Sequence, residues 1–272
     1  DLILKVSRSV SGAPGISGWT KNLIRLCLDS DKCPSFSNFI ILLTKQISQG
    51  IAPGRDMLCS SRLIPLSKPN NKIRPISIGE LFYRIAMKSI LLANLNGKNQ
   101  YQQNDFLLPN QFGVGSLGGV EPVLLACEQA LNGNSGFTGI GCIDLKNAFN
   151  SIDRSFILKS IQNYCPKVEK LFKWAYGSSS DLIIPNFNST PTILKSEVGV
   201  RQGDPFSPFL FSLSFRSIIE SIESNLQNIK VFTYMDDLTI LSNSEKDFNN
   251  CIDIIKQFDS IGIKVNNDKS KY

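Results

Sequence analysis

The stretch VFTYMDDLTIL, residues 231–241, places two adjacent carboxylates, Asp236 and Asp237, between two apolar runs. The β-branched and aromatic residues on both sides predict two short strands joined by a tight turn. Such a turn needs only one Asp, usually followed by Gly, and two neighbouring carboxylates make each other harder to ionise. The pair therefore indicates either a solvated loop tip or a place where something cationic binds.

The composition describes a globular protein whose chemistry does not depend on histidine. The chain of 272 residues, 42% hydrophobic and 19% charged, is long enough for one large domain or two closely packed ones. Its net charge of +6 suits a polyanionic partner. Because the sequence contains no His, it excludes Ser–His and Cys–His catalytic pairs and HExxH metal sites. Any chemistry must rely on carboxylates, Lys, Arg and metal ions.

Cysteine spacing and hydropathy narrow the class of protein further. The seven cysteines are scattered and never in C-x-x-C spacing, which argues against a zinc site or a disulfide framework and predicts free thiols. No apolar run is long enough to span a membrane, and no targeting peptide is visible. The last residues, NNDKSKY, look like the middle of a structural element, so we expect a segment of a longer protein.

The order of predicted elements is that of an α+β fold. A Gly/Pro/Ser-rich surface loop is expected at 11–20. Helical spacing of apolar residues predicts helices over 35–47, 80–95, 118–131, 204–226 and 245–261. Strand patterns predict a basic hairpin over 62–68 and 72–78 and a buried strand over 137–145. Pro205 is expected in the first turn of its helix, and Asp153 is expected to cap a second helical piece after KNAFNSI.

Asp144 ends the predicted strand GIGCIDL just before a helix, where a side chain projects from the edge of a sheet. If the Asp236–Asp237 tip lies alongside that strand end, three carboxylates converge. Such a cluster is costly unless divalent cations neutralise it, and two Mg²⁺ ions about 3.5–4 Å apart form the template for in-line phosphoryl transfer. Mg²⁺ prefers a few carboxylates plus water and phosphate oxygens. Taken alone, Asp144 would be interpreted as a helix N-cap.

Four stretches together resemble the successive palm motifs of reverse transcriptases: GCIDLKNAFNSIDR, GVRQGDPFSPFLFSL, FTYMDDLTIL and IGIKVNNDKS. They occur in the family's order. Upstream, RLIPLSKPNNKIRPISIGELFYRIAMK resembles the fingers hairpin of the same enzymes, and NQFGVGSLGGVE is similar to non-LTR retrotransposon polymerases. The resemblance extends from about residue 58 to the end of the chain.

The resemblance implies the polymerase right-hand fold, with an antiparallel palm sheet backed by helices. It implies fingers with an N-terminal extension over 1–135 and a palm over 136–272. We expect the thumb helices of the family to lie outside this chain, and the isolated segment to polymerise poorly for that reason.

In the palm, the resemblance implies that Asp144 and Asp236 bind two metal ions and that Asp237 completes the acidic cluster. Phe149 matches the aromatic steric gate of the family, a ring that clashes with a ribose 2′-OH and so selects deoxynucleotides. Lys269 fits the position of a general acid that protonates the departing pyrophosphate. Without the motifs, Phe149 would be interpreted as a core residue and Lys269 as a solvated lysine.

The hairpin turn itself carries the residues that the resemblance places at the primer. Tyr234 would form a floor for the primer terminus, although a strand Tyr packed on its sheet is the ordinary alternative. Met235 gives the Y-M-D-D form common in retroviral enzymes, whereas many non-LTR relatives have Ala there. The subfamily therefore stays open.

The resemblance assigns nucleotide binding to residues outside the acidic motifs. Arg74, on the fingers hairpin, matches a residue that grips the triphosphate, because a guanidinium fork suits phosphate oxygens. Lys68 or Lys72 would assist, and the alternative for each is a solvated hairpin charge. In RQGDP, the small Gly203 would let backbone approach the nucleotide and Gln202 would hydrogen-bond it, or the stretch simply initiates a helix.

The implied function is RNA-directed DNA synthesis by nucleotidyl transfer in a retroelement. Its partners would be an RNA template, a DNA primer and dNTPs, with two Mg²⁺ ions, or Mn²⁺, as cofactors. An intracellular setting, nuclear or cytoplasmic, follows from family likeness alone. Two alternatives stay open: a palm-type RNA-directed RNA polymerase, against which Phe149 argues, and a degenerate or domesticated palm that binds nucleic acid without catalysis.

Overall fold

The computed structural model describes residues 2–68, 72–95, 106–115, 118–133, 136–186 and 189–272. The helices are α1 (Leu2–Ser9), α2 (Lys21–Asp29), α3 (Phe36–Ser48), α4 (Arg55–Cys59), α5 (Leu81–Leu95), α6 (Glu121–Asn132), α7 (Ala148–Ser151), α8 (Arg154–Tyr164), α9 (Glu169–Tyr176), α10 (Ser207–Asn225) and α11 (Glu245–Lys256). The strands are β1 (Ser61–Lys68), β2 (Lys72–Gly79), β3 (Gln111–Phe112), β4 (Gly139–Ile143), β5 (Ser180–Ile184), β6 (Thr192–Ser196), β7 (Ile229–Tyr234) and β8 (Asp237–Ser242). Short 3₁₀ turns cover Pro166–Val168 and Asp259–Ile261.

The chain divides into two compact units that are interleaved in sequence. The first unit comprises Asp1–Asn94 and Pro166–Ser207, and the second comprises Leu95–Cys165 and Pro208–Tyr272. Each unit contains one four-stranded sheet together with helices, so the α+β class is confirmed. The fingers and palm ranges given above stay predictions.

The first unit is built on a sheet with the strand order β2-β1-β5-β6. β1 and β2 form the predicted hairpin, paired from Ser61↔Gly79 to Lys68↔Lys72, while its predicted PNN tip lies outside the described residues. β5 and β6 are antiparallel, and β5 runs parallel to β1. An apolar cluster is buried among the helices α1, α2, α3 and α5 of this unit. Its buried members are Val6, Val10, Ile24, Ile40, Leu81 and Ile85.

The predicted loop at 11–20 is confirmed, and two polar side chains at the start of α5 hold it in place. Glu80 accepts a hydrogen bond from the backbone nitrogen of Ser17 at 2.9 Å and a second one from its hydroxyl. Arg84 donates to the carbonyl oxygens of Ser11 and Ala13, at 3.2 and 2.8 Å. Because Glu80 and Arg84 are buried, these bonds compensate for part of the loss of water around them, while the Nε of Arg84 has no hydrogen-bond partner among the described residues.

The second unit is built on a sheet with the strand order β3-β7-β8-β4. β7 and β8 form the predicted hairpin around the acidic pair, closed by Tyr234↔Asp237. β8 also pairs antiparallel with β4, up to Ile143↔Leu238. The predicted docking of the hairpin beside the earlier strand is therefore confirmed.

Three details of the sequence-based prediction are wrong, and the first is the last helix, which ends at Lys256 rather than residue 261. The strand at 139–143 is not buried throughout, because its residues alternate between buried and exposed faces, as in an antiparallel sheet covered on one side. The long helix begins at Ser207 rather than residue 204, so Pro205 precedes it. The carboxylate of Asp204 accepts a hydrogen bond from the backbone nitrogen of Phe206 at 2.9 Å, and this bond forms a turn ahead of the helix.

The break predicted at Asp153 is confirmed. α7 ends at Ser151, and the carboxylate of Asp153 then accepts hydrogen bonds from the backbone nitrogens of Ser155 and Phe156, at 2.7 and 3.0 Å. These bonds satisfy donors that the first turn of α8 leaves without partners in the helix. They also lower the pKa of Asp153, the hydroxyl of Ser155 being the main cause.

The sequence predicted free thiols and no apolar run long enough to span a membrane. All seven cysteines are free thiols, as their spacing predicted. Among the described helices none combines the length and the apolar character that crossing a membrane requires.

Glycine in β4 makes room for the aromatic side chains that cover this strand. A Cβ atom at Gly141 would overlap the ring of Phe248 and lie 3.2 Å from the carbonyl oxygen of Lys271. At Gly139 a Cβ atom would overlap the ring of Tyr272. The small residues in GIGCI are therefore required by packing.

We expect Gly141→Ala to lower the free energy of unfolding by about 1–3 kcal/mol, the usual cost of inserting atoms into a filled site. Chemical denaturation measures this change. Cys142→Ala on the same strand is the control, because Cys142 is exposed. Equal stability of the two variants would contradict the packing argument.

Candidate active site

The turn between β7 and β8 has an unfavourable backbone conformation. Tyr234 pairs with Asp237, which leaves Met235 and Asp236 as a two-residue loop. Met235 has φ of 58°, a left-handed conformation that favours Gly at this position of a hairpin turn and costs a residue with a side chain about 1–3 kcal/mol. A Cβ atom added to Gly113 would be 3.3 Å from the Met235 side chain, so Gly113 leaves the space that this side chain occupies. Strain of this kind is concentrated at functional sites.

The sheet brings Asp144 and Asp237 together. Ile143↔Leu238 is the last pair between β4 and β8, so Asp144 and Asp237 are the next residues along the two strands. Residues directly opposite in an antiparallel pair have Cβ atoms about 4.5–5.5 Å apart. Desolvation and the negative charge of Asp144 raise the pKa of Asp237, whereas Lys269 lowers it. The two carboxylates are thus close enough to repel each other.

Asp144 is held by residues from the end of the chain. Its Oδ2 accepts a hydrogen bond from the Nδ2 of Asn266 at 2.6 Å, and the Nζ of Lys269 lies 3.6 Å from the same oxygen. The side chain of Asp144 stays 30% exposed, so it can meet a ligand from solvent. Lys269 is therefore in the acidic site, although its role as a general acid stays a prediction.

The donor set fits a divalent cation in its chemistry, while the three predicted ligands are only partly assembled. Asp144 and Asp237 are hard oxygen ligands whose mutual repulsion a cation would relieve. Asp236 lies in the hairpin turn. Within the described residues, no group of three or more Asp, Glu or Cys side chains is arranged so that it could hold a metal ion. The assignment of all three carboxylates as ligands stays a prediction.

The ring of Phe149 packs on another aromatic ring. It lies in α7, which follows Asn147 in a left-handed conformation with φ of 50°. The ring stacks on Phe211 of α10 with centroids 4.6 Å apart and planes 15° apart, and Phe211 stacks on Phe215 in turn. Phe211 and Phe215 are buried, whereas Phe149 is half-buried. This placement leaves part of the Phe149 ring accessible, as a gate requires, and the gate role stays a prediction.

In the first unit, the turn at Gln202 and Gly203 is bonded to β2. The carbonyl oxygen of Gln202 accepts a hydrogen bond from the backbone nitrogen of Ser77 at 2.7 Å. Gly203 has φ of 105°, and a Cβ atom there would be 2.5 Å from the carbonyl oxygen of Ser77. Only glycine fits this close approach. Arg74 lies on the same strand and is exposed, while the side chains of Lys68 and Lys72 lie outside the described part.

A buried network beneath this turn was missed by the sequence analysis. Arg201 and Asp204 form a salt bridge at 2.8 Å and are 2% and 3% exposed. The carboxylate of Asp204 also accepts hydrogen bonds from the hydroxyls of Tyr83 and Tyr176, at 2.7 and 2.6 Å. Arg201 donates further to the carbonyl oxygen of Cys59, at 2.8 Å. The two charged residues flank Gln202 and Gly203 and therefore fix the ends of this turn.

Sequence reasoning had a partial signal for this network. An Arg and an Asp on either side of QG were visible in RQGDP, but nothing local indicated that both are buried. The tyrosines are 121 and 28 residues away from Asp204 in sequence, so no spacing pattern links them to it. Burial raises the pKa of Tyr83 and Tyr176, which keeps their hydroxyls protonated as donors.

Asp204→Asn should lower the free energy of unfolding by roughly 3 kcal/mol or more, because it leaves the charge of Arg201 buried and uncompensated. Chemical denaturation tests this. The matched control is Asp181→Asn, which removes a surface ion pair with Lys195 and should cost less than about 1 kcal/mol. Similar small losses in both variants would show that the network contributes little to stability.

Comparison with known proteins identifies the family. A family model described as reverse transcriptase (RNA-dependent DNA polymerase) matches residues 66–272. The chain therefore belongs to the reverse transcriptase family, and the resemblance found in its motifs is confirmed.

The relatives with matching sequence come from retrotransposable elements. The chain is 26% identical over 268 residues to the retrotransposable element SLACS 132 kDa protein of Trypanosoma brucei gambiense, a match covering 95% of this chain and 21% of that protein. It is 25% identical over 115 residues to the retrovirus-related Pol polyprotein from type-1 retrotransposable element R2 of Nasonia vitripennis, covering 39% and 11%. The chain thus spans about a fifth of the length of the SLACS protein.

Solved structures show the same fold. Apo telomerase from Candida tropicalis, truncated from the C-terminal domain, matches with a TM-score of 0.55 and 12% identity over 86% of this chain and 55% of that chain. Telomerase from the same organism in complex with a TWJ fragment of telomeric RNA matches with a TM-score of 0.54 and 10% identity, over 79% and 41%. These similarities confirm the predicted right-hand polymerase fold.

Proposed function

We propose that this chain carries out template-directed DNA synthesis on an RNA template by metal-assisted nucleotidyl transfer, as part of a retrotransposable element. The observation that carries the proposal is the proximity of Asp144 and Asp237, the residues next to the last pair between β4 and β8. Two like charges placed together in a chain of this family indicate a site for divalent cations. The strained turn at Met235 supports a functional role for the same place.

The residues that would hold the ions are Asp144, Asp236 and Asp237. When bound there, divalent ions supply neutralisation of the triphosphate charge and activation of the primer 3′-hydroxyl. The reaction forms a bond between the 3′-oxygen and the α-phosphorus and breaks the bond to pyrophosphate, whose protonation is assigned to Lys269. Little covalent chemistry is left to the protein, so the contribution of its side chains is positioning and charge.

The remaining predicted residues act on the substrates. Phe149 would exclude nucleotides that carry a 2′-hydroxyl, and Tyr234 would support the primer terminus. In the first unit, Gln202 and the backbone at Gly203 would contact the nucleotide, and Arg74 would bind triphosphate oxygens. The net charge of +6 favours the polyanionic template and primer. A nuclear or cytoplasmic setting is proposed from family likeness.

In the full-length protein, Asp236→Asn should abolish primer extension on an RNA template with dNTPs and Mg²⁺, because it removes a carboxylate proposed to hold the ions that neutralise the reacting phosphates. Binding of the primer–template duplex, measured by fluorescence anisotropy, should stay within about twofold, since phosphate contacts elsewhere carry the affinity. Asp253→Asn on α11 is the matched control. Unchanged extension by the Asp236 variant would refute the assignment, and duplex binding without extension by the wild-type full-length protein would indicate a binding-only palm.

Phe149→Ala should increase incorporation of ribonucleotides relative to deoxynucleotides, because it removes the ring proposed to clash with the ribose 2′-OH. We expect an increase of about tenfold or more, which corresponds to a free-energy difference of about 1.4 kcal/mol between the two substrates. Competition between rNTPs and dNTPs in single-nucleotide extension measures the ratio. Phe149→Tyr is the control, since it keeps an aromatic ring stacked on Phe211. Discrimination that is equal in both variants would remove the gate role from Phe149.

A further inference from the structure

The C-terminal segment 264–271 pairs with the free edge of β4 on both sides of Asp144. On one side the backbone nitrogen of Lys146 donates to the carbonyl oxygen of Lys264 at 2.8 Å, next to the bridge between Leu145 and Val265. On the other side, backbone bonds of 2.7 and 2.9 Å join Cys142 and Lys271. The C-terminal segment thus covers the edge of β4 next to Asp144.

Between these two pairing points the segment forms a loop directed at Asp144. The β4 side has two residues there, 143 and 144, whereas the C-terminal side has five, 266–270. The backbone nitrogens of Lys269 and Ser270 both donate to the carbonyl oxygen of Asn266, at 3.1 and 3.0 Å, which closes the loop into a turn. Its side chains therefore have a defined position relative to β4.

This loop contacts three different groups of Asp144. The backbone nitrogen of Asn266 donates to the Asp144 carbonyl oxygen at 2.8 Å, and the backbone nitrogen of Asp144 donates to the Oγ of Ser270 at 3.2 Å. The Nδ2 of Asn266 donates to Oδ2 of the carboxylate at 2.6 Å. The backbone on both sides of the Asp144 Cα and the orientation of its side chain are fixed together.

The chemistry of the amide suits a supporting role. An amide NH₂ group donates a hydrogen bond but carries no charge, so Asn266 can set the rotamer of Asp144 without forming an ion pair with it. Among the described residues, no hydrogen bond is directed to Oδ1, which leaves that oxygen for a ligand. Carboxylates that bind metals are in turn oriented by hydrogen bonds, and loss of such a partner typically costs 10–100-fold in metal affinity or activity.

The geometry points to Asn266 as a positioning residue that orients Asp144 for metal binding. This inference rests on the proposed function, in which Asp144 is a metal ligand. Asn266 would not touch the substrate; it would act through the 2.6 Å hydrogen bond to Oδ2, with its backbone anchoring the loop to β4.

Binding of Mn²⁺ alone, measured by electron paramagnetic resonance without template or nucleotide, tests the role. Asn266→Ala should raise the Kd for Mn²⁺ by about 10–100-fold. Asn266→Ser keeps a small polar residue in the turn but is too short to reach Oδ2, and it serves as the second variant if the Ala variant does not fold. Asn267→Ala is the matched control, because Asn267 is the adjacent, exposed residue of the same type.

Thermal unfolding of each variant separates positioning from stability. Lower thermal stability with Mn²⁺ affinity within twofold of wild type would show a merely structural role and overturn the inference. Asp144→Ala provides the reference: if it also leaves Mn²⁺ binding unchanged, the metal assignment of Asp144 fails and the inference with it. If Mn²⁺ binding responds as expected but the wild-type full-length protein extends no primer, the inference holds and the proposed function fails.

Discussion

The backbone ladder between β4 and β8 is the interaction on which the candidate site depends. Its last pair joins Ile143 to Leu238, both 1% exposed, and the next residues on the two strands are Asp144 and Asp237. Because side chains alternate with a period of two, a slip of one residue would expose the apolar pair and move a carboxylate to the other face. Burial of the apolar residues therefore sets the register, and the register sets the carboxylate pair.

The acidic site contains two unfavourable features that the surrounding structure stabilises. Asp144 and Asp237 repel each other, and Met235 is held in a backbone conformation that favours Gly. The sheet hydrogen bonds on β7 and β8 keep the turn closed. The amide of Asn266 hydrogen-bonds Asp144, and the ammonium group of Lys269 lies 3.6 Å from the same oxygen. A folded protein retains such local costs where function requires the geometry.

In the first unit, the surrounding residues hold the backbone turn at Gln202 and Gly203 in one place. Gly203 lies so close to the Ser77 carbonyl oxygen that no residue with a side chain fits there. The buried salt bridge between Arg201 and Asp204 fixes both ends of the turn. The buried charges are costly to desolvate, but each has several hydrogen-bond partners, which makes the arrangement specific.

Local patterns in the sequence were enough to predict the α+β class, the two hairpins, the break at Asp153 and the family, because each depends on neighbouring residues or on motifs in order. The start of α10 at Ser207 and the half-exposed face of β4 were not predicted, since side-chain bonds and sheet packing decided them. The sequence by itself determined the family, through the order of its motifs. The tertiary structure alone decided their supports, Asn266 at Asp144 and Tyr176 at Asp204, because hydrogen bonds between residues far apart in the chain leave no local pattern.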